Sequence, residues 1–485
     1  MDNITPVIFT QSKSERQAFP MPNNHINEFN LSKCIDSKYL RTDLANLPEV
    51  SEPQIARHFV NLSIKNHHVD KNFYPLGSCT MKYNPKINDV IAMLDSFAGI
   101  HPNQDPDSIQ GILKVYYELG RYLCEITGMK QITLQPSAGS QGELVGLLLM
   151  KKYHELKGNR HKKYIIIPKT AHGTNPASVI MSGYNVKQVM SDDRGRVCLE
   201  HLQELVDDET AGMMLTQPNT LGLFEDNIEK ICKIIHSKDG LMYMDGANLN
   251  ALVGMVNPFK MGFDITHINL HKTFSTPHGG GGPGAGPVAV NDKLKEYLPN
   301  PIIEYDKAKY YFKNLKHSIG KVHSFNGNYG VLLRAYVYIL SLGKKGLKDV
   351  SQKAVLNANY LKHLLMNQYD IPFTDGTMHE FVISAEKQKR RNLKALDIAK
   401  NLLDYGFHAP TVYFPTNIVE SIMIEPTETE TKETLDDFAK IMNFLSNNID
   451  SQLEYFKEAP YKTPVRRLDE TKANRELDVK WNDEI

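Results

Sequence analysis

The chain has 485 residues, of which 41% are hydrophobic and 23% are charged, and its 56 Lys and Arg balance its 56 Asp and Glu. This composition is typical of a globular protein, and the zero net charge argues against a nucleic-acid binder or a basic membrane-surface protein. The longest strongly apolar stretch, residues 144–150, is far shorter than the roughly 20 residues of a membrane helix, so no membrane span is expected.

The N-terminal segment and the cysteines lead to an expectation about location. Residues 1–22 have neither the apolar core of a secretory signal nor the acid-poor, Arg-rich pattern of a transit peptide. The five cysteines are scattered, without CxxC or Cys/His ligand spacing. We therefore predict a cytoplasmic protein with reduced cysteines and no structural metal.

Three regions differ in their pattern along the chain. Residues 1–95 are rich in Pro, Asn and charge, and we predict an extended N-terminal arm or lid with a helical patch near 52–66. In residues 96–325, short apolar runs alternate with amphipathic stretches, which predicts a large α/β domain with a mostly parallel sheet covered by helices. Residues 326–485 combine long helices with short strands, the pattern of a smaller C-terminal α+β domain.

The predicted elements of the large domain follow a doubly wound order. The sequence predicts strands at 164–168, 187–190, 212–216, 241–245, 267–270 and 287–290, and helices at 142–155 and 227–237. In the C-terminal region it predicts helices at 329–342, 350–366, 393–405 and 432–445, and strands at 380–385 and 421–424. In helix 142–155 we expect Leu144, Leu147, Leu148 and Tyr153 to share the buried face.

Polar residues follow four of the predicted strands, at the sheet edge where ligands bind in open α/β folds: Lys272, Asp245, His172 and Asn219. Each has a structural alternative, since Asp245 is also a common cap or turn residue and His172 and Asn219 are typical turn residues. Together they offer a Schiff-base lysine, a carboxylate for a pyridine nitrogen and an aromatic side chain to lie over a ring. These are the groups that pyridoxal phosphate requires.

Two further motifs concern phosphate binding. Ser140, with Glu143 three residues later, fits a capping box, and the same helix start would suit a phosphate; both interpretations can hold together. Gly279, Gly281 and Gly284 match GxGxxG. A dinucleotide fingerprint, however, lies between the first strand and a helix, so we interpret these glycines as a tight turn.

Eight sequence blocks resemble the glycine dehydrogenase (decarboxylating) family, the P-proteins of the glycine cleavage system. They are YPLGSCTMKYNP (74–85), LQPSAGSQGE (134–143), AHGTNPAS (171–178), PNTLGLFE (218–225), MDGANLNA (244–251), NLHKTFSTPHGGGGPGAGP (269–287), MHEFV (378–382) and MIEPTETE (423–430). The resemblance covers nearly the whole chain and implies the fold type I architecture of pyridoxal-phosphate enzymes.

The resemblance also implies roles for individual residues. By similarity, Lys272 is the Schiff-base lysine, Asp245 the partner of the pyridine nitrogen and His172 the residue stacked on the ring. The other implied cofactor contacts are Asn219 and Asn248 near the phenolic oxygen, and Ser140, Gln141 and His271 at the phosphate. Gln141 departs from the two-subunit form, which often has His there.

The implied reaction decarboxylates glycine and transfers the aminomethyl group to the lipoyl arm of H-protein. At 485 residues the chain resembles the lysine-bearing half of the two-subunit form, which pairs with subunit 1, as an α2β2 heterotetramer. We expect Ser78, Thr80 and Lys82 to help close the glycine pocket, although Lys82 as a solvated surface lysine stays open. The alternatives are an aminotransferase or amino-acid decarboxylase of the same fold, or a noncatalytic scaffold subunit.

Overall fold

The computed structural model describes residues 5–20, 22–23, 30–43, 45–278 and 284–479. The chain divides into two compact units, one of Met1–His68 with Pro460–Ile485 and one of Val69–Ala459. The predicted domain borders near residues 95 and 325 remain predictions. Among the described helices, none is both long and apolar enough to cross a membrane.

Among the described residues, α-helices occur in both units and all the β-strands lie in the larger one. The α-helices in chain order are α1 (Glu52–Lys65), α2 (Lys86–Ala92), α3 (Asp95–Ala98), α4 (Gln110–Thr127), α5 (Gly139–Leu156), α6 (Thr174–Met181), α7 (Leu199–Leu205), α8 (Ile228–His236), α9 (Pro258–Met261), α10 (Leu270–Thr273), α11 (Tyr329–Leu365), α12 (Glu386–Arg390), α13 (Ala395–Asp404), α14 (Lys432–Asn447), α15 (Ile449–Glu458) and α16 (Glu470–Arg475). The strands are β1 (Gln131–Thr133), β2 (Tyr164–Pro168), β3 (Asn185–Val189), β4 (Thr210–Thr216), β5 (Leu241–Gly246), β6 (Ile265–Ile268), β7 (Val288–Val290), β8 (Ile302–Tyr305), β9 (Tyr310–Lys313), β10 (Phe381–Ser384), β11 (Thr411–Val412) and β12 (Ser421–Ile424).

A seven-stranded sheet with the order β1-β7-β6-β5-β4-β2-β3 forms the centre of the larger unit. The pairs from β6 to β3 are parallel, and β7 runs antiparallel to both of its neighbours. This arrangement confirms the predicted fold class of a mostly parallel sheet covered by helices, beside a smaller C-terminal α+β part. It also brings the carboxyl ends of β2, β4, β5 and β6 to one edge of the sheet.

The predicted strand 267–270 differs from the observed one in a way that matters for the site. Strand β6 ends at Ile268, and Leu270–Thr273 forms the short helix α10. In the sequence, the apolar Leu270 extends the pattern of the strand. In the structure Leu270 is the first residue of the helical turn, and its N–H donates to the Ala285 carbonyl at 3.2 Å. Lys272 therefore lies on a helical turn beyond the strand.

Apolar residues on both faces of the sheet bury its central strands. Every residue of β4 and β5 is buried, as expected for parallel strands covered by helices on both sides. The buried face of α5 includes Val145, Leu147 and Leu149. The prediction that Leu144 and Leu148 share that face was wrong, since both are only half-buried.

The C-terminal part of the larger unit contains a three-stranded antiparallel sheet of the order β10-β12-β11. Phe381 pairs with Ile424 at one end of β10 and β12, so residues 380 and 425 flank the same end of neighbouring strands. Helix α11 covers both predicted helices 329–342 and 350–366, with Gly343 breaking the helical backbone at φ 59°. This sheet thus presents the ends of two strands near the loop that precedes α2.

Lys82 anchors this loop to the interior. Its side chain is fully buried, and Nζ donates to Glu428 Oε1 at 2.7 Å, Asn250 Oδ1 at 2.9 Å and the Thr273 carbonyl at 2.9 Å. Burial alone would lower the pKa of Lys82, but Glu428 and Tyr338 outweigh it and the pKa is raised. The alternative of a solvated surface lysine is therefore wrong.

Replacing Lys82 by Met should destabilise the fold strongly. Breaking a buried ion pair leaves the buried carboxylate of Glu428 without its cation, which costs about 3–5 kcal/mol. Lys86→Met is the matched control, because the Lys86–Asp70 pair lies at the surface and is worth less than about 1 kcal/mol. Urea unfolding followed by circular dichroism measures both, and equal losses in the two variants would contradict the assignment.

Candidate active site

Three of the predicted residues lie at the carboxyl edge of the parallel sheet. Asp245 is near the carboxyl end of β5, Lys272 follows β6, and His172 follows β2. The positive charge of the Lys272 amine lowers the pKa of both Asp245 and His172, so the amine lies within electrostatic reach of these two side chains. The sheet edge therefore brings these three side chains into one site.

Asp245 is buried and held by several donors. Its Oδ2 accepts from Asn175 Nδ2 at 3.1 Å, its Oδ1 accepts from the Ala247 N–H at 2.9 Å, and His267 Nε2 lies 3.3 Å from Oδ1. Burial alone would raise its pKa, but His267, these hydrogen bonds and Lys272 together lower the pKa. Asp245 is consequently an ionised carboxylate at neutral pH.

Lys272 contacts a loop that is distant in sequence. Its Nζ donates to the carbonyl of Ser78 at 2.6 Å, across 194 positions of the chain. Ser78 and Thr80 both have left-handed backbones, at φ 65° and 46°. The segment that we expected to close the pocket therefore lies directly against the catalytic candidate.

His172 is exposed at the mouth of this site. Its Nδ1 lies 2.9 Å from Thr174 Oγ1, and Thr174 Oγ1 donates to Glu143 Oε1 at 2.8 Å. Burial of its inner edge and the charge of Lys272 lower its pKa, although Asp245 opposes them. The ring is therefore neutral at neutral pH and oriented by Thr174.

The start of helix α5 borders the same site. Ala138 is the N-cap, and Ser140, which is exposed, lies inside the helix. The capping-box interpretation was wrong, because Glu143 accepts hydrogen bonds from Thr174 and Ser178 instead of reaching back to the helix start. The helix start itself still offers N–H groups without intrahelical acceptors.

Close packing joins this helix start to the lysine. A Cβ on Gly139 would lie 2.5 Å from the side-chain amide of Asn269, the residue that precedes α10. Among the described residues, Asn269 Oδ1 is a buried oxygen without a hydrogen-bond partner. A helix start with free N–H groups is thus fixed beside the turn that carries Lys272.

The side chains of three other predicted cofactor contacts hold loops together. Gln141 accepts from the N–H of Ser137 at 2.7 Å and donates to the Val322 carbonyl at 2.8 Å. Asn219 accepts from the N–H of Leu221 and donates to the Gly195 carbonyl, and Asn248 donates to the Pro218 carbonyl. All three border the site, and their cofactor roles remain predictions.

His271 and the glycine run complete the predicted set. His271 packs edge-on against His278 with ring centroids 4.7 Å apart, and burial, with the charge of Lys272, lowers its pKa to about 3. His271 is therefore neutral at physiological pH. Gly279 and Gly281 of the glycine motif lie outside the described residues.

A second polar cluster was not predicted from the sequence. Glu380, Glu425 and His379 are completely buried, and His379 Nε2 lies 3.9 Å from Glu380 and 3.8 Å from Glu425. Burial, together with Glu425, raises the pKa of Glu380 to about 8, and burial raises that of Glu425 to about 7. The sequence blocks MHEFV and MIEPTETE contain these acids. An acid next to apolar strand residues was the signal that could have predicted the cluster.

The donor set fits pyridoxal phosphate. Lys272 offers an amine for the aldehyde, Asp245 an ionised carboxylate for the pyridine nitrogen, and the α5 helix start N–H groups for the phosphate. The unpartnered oxygen of Asn269 belongs to a residue that packs against the start of α5 and directly precedes the turn carrying Lys272.

Two family models match the chain. The model described as "Glycine cleavage system P-protein" matches residues 23–311, and "Glycine dehydrogenase, C-terminal domain" matches residues 350–463. Together these matches extend over most of the sequence.

Curated relatives are similar over nearly their full length. A protein from Bacillus licheniformis is 51% identical over 470 residues, covering 97% of each chain, and one from Chloroherpeton thalassium is 50% identical over 481 residues, covering 98% of this chain and 97% of its own. Both are named probable glycine dehydrogenase (decarboxylating) subunit 2.

Solved structures share the fold at low sequence identity. A glycine decarboxylase (P-protein) of the glycine cleavage system, in inhibitor-bound form, has a TM-score of 0.73 at 19% identity, covering 86% of this chain and 94% of its own. A glutamate decarboxylase from Lactobacillus brevis has a TM-score of 0.65 at 14% identity, covering 86% and 97%. These likenesses confirm the fold type I architecture.

The buried pair Glu380 and Glu425 should make stability fall as pH rises. Their folded pKa values of about 8 and about 7 lie above the ordinary 4.5, so the folded state binds more protons than the unfolded state between about pH 4.5 and 8. Their stabilising protons are fully present below pH 4.5 and lost as pH passes 7 to 8. Melting temperatures at pH 5.5 and 8.5 should therefore differ less in Glu380→Gln than in the wild type, and an unchanged difference would contradict this.

Proposed function

We propose a function for this protein from its family membership, because the chain belongs to the glycine cleavage system P-protein family. This membership confirms the resemblance that the sequence indicates. The protein catalyses the pyridoxal-phosphate-dependent decarboxylation of glycine, as a glycine dehydrogenase (aminomethyl-transferring). The observation that carries this assignment is the position of the ionised Asp245 at the carboxyl end of β5 and of Lys272 just beyond the adjacent strand β6.

We assign a separate role to each of the site residues. Lys272 supplies the amine that would hold the cofactor aldehyde, and Asp245 keeps a proton on the pyridine nitrogen through its negative charge. His172, neutral and oriented by Thr174, would lie over the ring. When bound, the cofactor supplies an electron-withdrawing ring for the electron pair of the broken bond.

The chain also offers a place for the lysine amine when it is not bonded to the cofactor. The Ser78 carbonyl holds Nζ at 2.6 Å, which keeps the amine near its point of reaction instead of in solvent. The left-handed segment of Ser78 and Thr80 lies against the same amine. We expect this segment to limit the space beside the amine, which suits glycine because glycine has no side chain for the protein to bind.

The reaction needs a second substrate and a partner subunit. The bond between the α-carbon and the carboxylate of glycine breaks and carbon dioxide leaves. The electron pair left on the α-carbon forms a bond to one sulfur of the lipoyl disulfide of H-protein, the S–S bond breaks, and the other sulfur takes a proton and becomes a thiol. The relatives' name, subunit 2, implies a partner subunit. We propose subunit 1 as that partner, in an α2β2 heterotetramer, and a cytoplasmic location, which the free cysteines support.

The C-terminal arginines argue against the aminotransferase alternative. Such an enzyme needs an available Arg for the distal carboxylate of its substrate. Within residues 326–459 the sequence has Arg334, Arg390 and Arg391, and these pair with Asp89, Glu386 and Asp450. An amino acid without a second carboxylate is therefore the better substrate for this site.

Exchange of labelled bicarbonate into glycine tests the function. The chain with its partner subunit and cofactor should exchange label only when lipoylated H-protein is present. Lys272→Ala should lose both the visible absorbance of the bound cofactor and the exchange, while Lys86→Ala, at the surface, should keep both. Exchange that does not need H-protein, or an equal rate with glutamate, would favour a stand-alone decarboxylase.

Asp245→Asn should keep the cofactor but slow the exchange. An opposite charge nearby favours the protonated nitrogen by about 1–3 pK units, so its loss should lower the rate about 10- to 1000-fold. Asp264→Asn is the matched control, because Asp264 is an equally buried carboxylate just before β6, bonded to His236 and the Met242 N–H. A comparable loss of rate per folded molecule in the control would contradict a specific role for Asp245.

A further inference from the structure

The buried acids Glu380 and Glu425 have no role in the function proposed above. Residue 380 precedes β10 and residue 425 follows β12, and the antiparallel register of these strands sets the two carboxyl groups side by side. Both are completely buried, so neither contributes to solubility or to a surface ion pair. Their position requires another explanation.

Both acids accept hydrogen bonds from the 78–80 loop. The N–H of Ser78 donates to Glu380 Oε2 at 2.8 Å, and the N–H of Thr80 donates to Glu425 Oε2 at 2.9 Å. Thr80 Oγ1 also donates to Glu425 Oε1 at 2.5 Å. These three hydrogen bonds together fix both ends of this three-residue loop.

The loop needs such support because its backbone is strained. Ser78 and Thr80 adopt left-handed conformations, which are disfavoured for residues other than glycine and persist only when the surroundings hold them. The preceding Gly77 lies so close to β12 that a Cβ there would meet the Met423 carbonyl at 2.7 Å. The loop is therefore pressed onto the strand that leads to Glu425.

The opposite side of the loop contacts the lysine. The Ser78 carbonyl accepts a hydrogen bond from Lys272 Nζ, and the Ser78 N–H donates one to Glu380. Ser78 therefore connects the lysine to the acid. Cys79 lies between the two anchored residues. The charge of Lys272 also opposes the rise in pKa of both glutamates, which places the amine within electrostatic reach of the pair.

We propose that Glu380 and Glu425 are positioning residues that clamp the strained 78–80 loop against Lys272 and thereby set where its amine rests. They act through the loop and need not touch the substrate. This inference rests on the proposed function for its catalytic consequence only, because the clamp itself is a property of the folded chain.

Hydrogen exchange of the loop amides tests the clamp directly. In the cofactor-loaded chain with its partner subunit, Glu425→Ala should speed exchange in peptides spanning 78–80 about 10- to 100-fold, the equivalent of losing the two hydrogen bonds that Thr80 donates to Glu425. Glu420→Ala is the matched control, because Glu420 is a buried acid at the other end of β12 that binds the Ala395 N–H. The control should leave exchange in the loop unchanged.

The conservative variant separates positioning from acid–base chemistry. In Glu425→Gln the amide oxygen can accept from the Thr80 N–H and the amide nitrogen can donate to Thr80 Oγ1, so both contacts survive. We expect it to restore protection of the loop and most of the bicarbonate exchange that Glu425→Ala loses. If the alanine variant does not fold, Thr80→Val removes the hydroxyl contact from the loop side and should speed exchange there.

Three results would overturn the proposal. They are unchanged loop exchange in both Glu380→Ala and Glu425→Ala, a protected loop in Glu425→Gln with no recovery of catalysis, and a stoichiometric metal ion found at the acids by elemental analysis. A wild-type protein that fails to exchange bicarbonate would count against the proposed function alone, because hydrogen exchange of the loop is measured independently.

Discussion

The hydrogen bond from Lys272 to the Ser78 carbonyl joins the parts of the molecule on which the site depends. Lys272 lies on α10, which follows strand β6 of the parallel sheet. The N–H of Ser78 donates to Glu380, which precedes strand β10 of the C-terminal sheet. The lysine amine thus has a defined position relative to Asp245 on one side and to the 78–80 loop on the other. A parallel sheet alone would leave that amine at an open edge.

The sequence was sufficient for the part of the site that follows from parallel-sheet geometry. Strands β2 and β12 have the predicted bounds, and β3, β4, β5, β6, β7 and β10 were predicted to within two residues at each end. Once strands are known, residues after them share one edge, so Lys272, Asp245 and His172 could be brought together without a structure. The short strands β1, β8, β9 and β11 carried too little pattern to be recognised, and the antiparallel direction of β7 was not predicted.

The residues that sequence reasoning misjudged are those whose partners are distant. Glu143 fits a capping box by spacing, yet Thr174 and Ser178 on α6 compete successfully for its carboxylate. Lys82 looks like any charged residue in a polar segment, but Glu428, 346 positions later, provides a buried counter-charge. No local pattern contains such pairings, because tertiary contacts decide whether a charged residue is buried.

The span of the contact between Thr80 and Glu425, 345 positions, has a consequence for biosynthesis. At about 5–20 residues per second, the ribosome adds Glu425 roughly 20 to 70 s after it has added Thr80. During that interval the nascent N-terminal loop has no carboxylates to bind, and the sheet with its lysine can be complete before the loop docks. Assembly of the catalytic centre is therefore one of the last events in the maturation of this polypeptide.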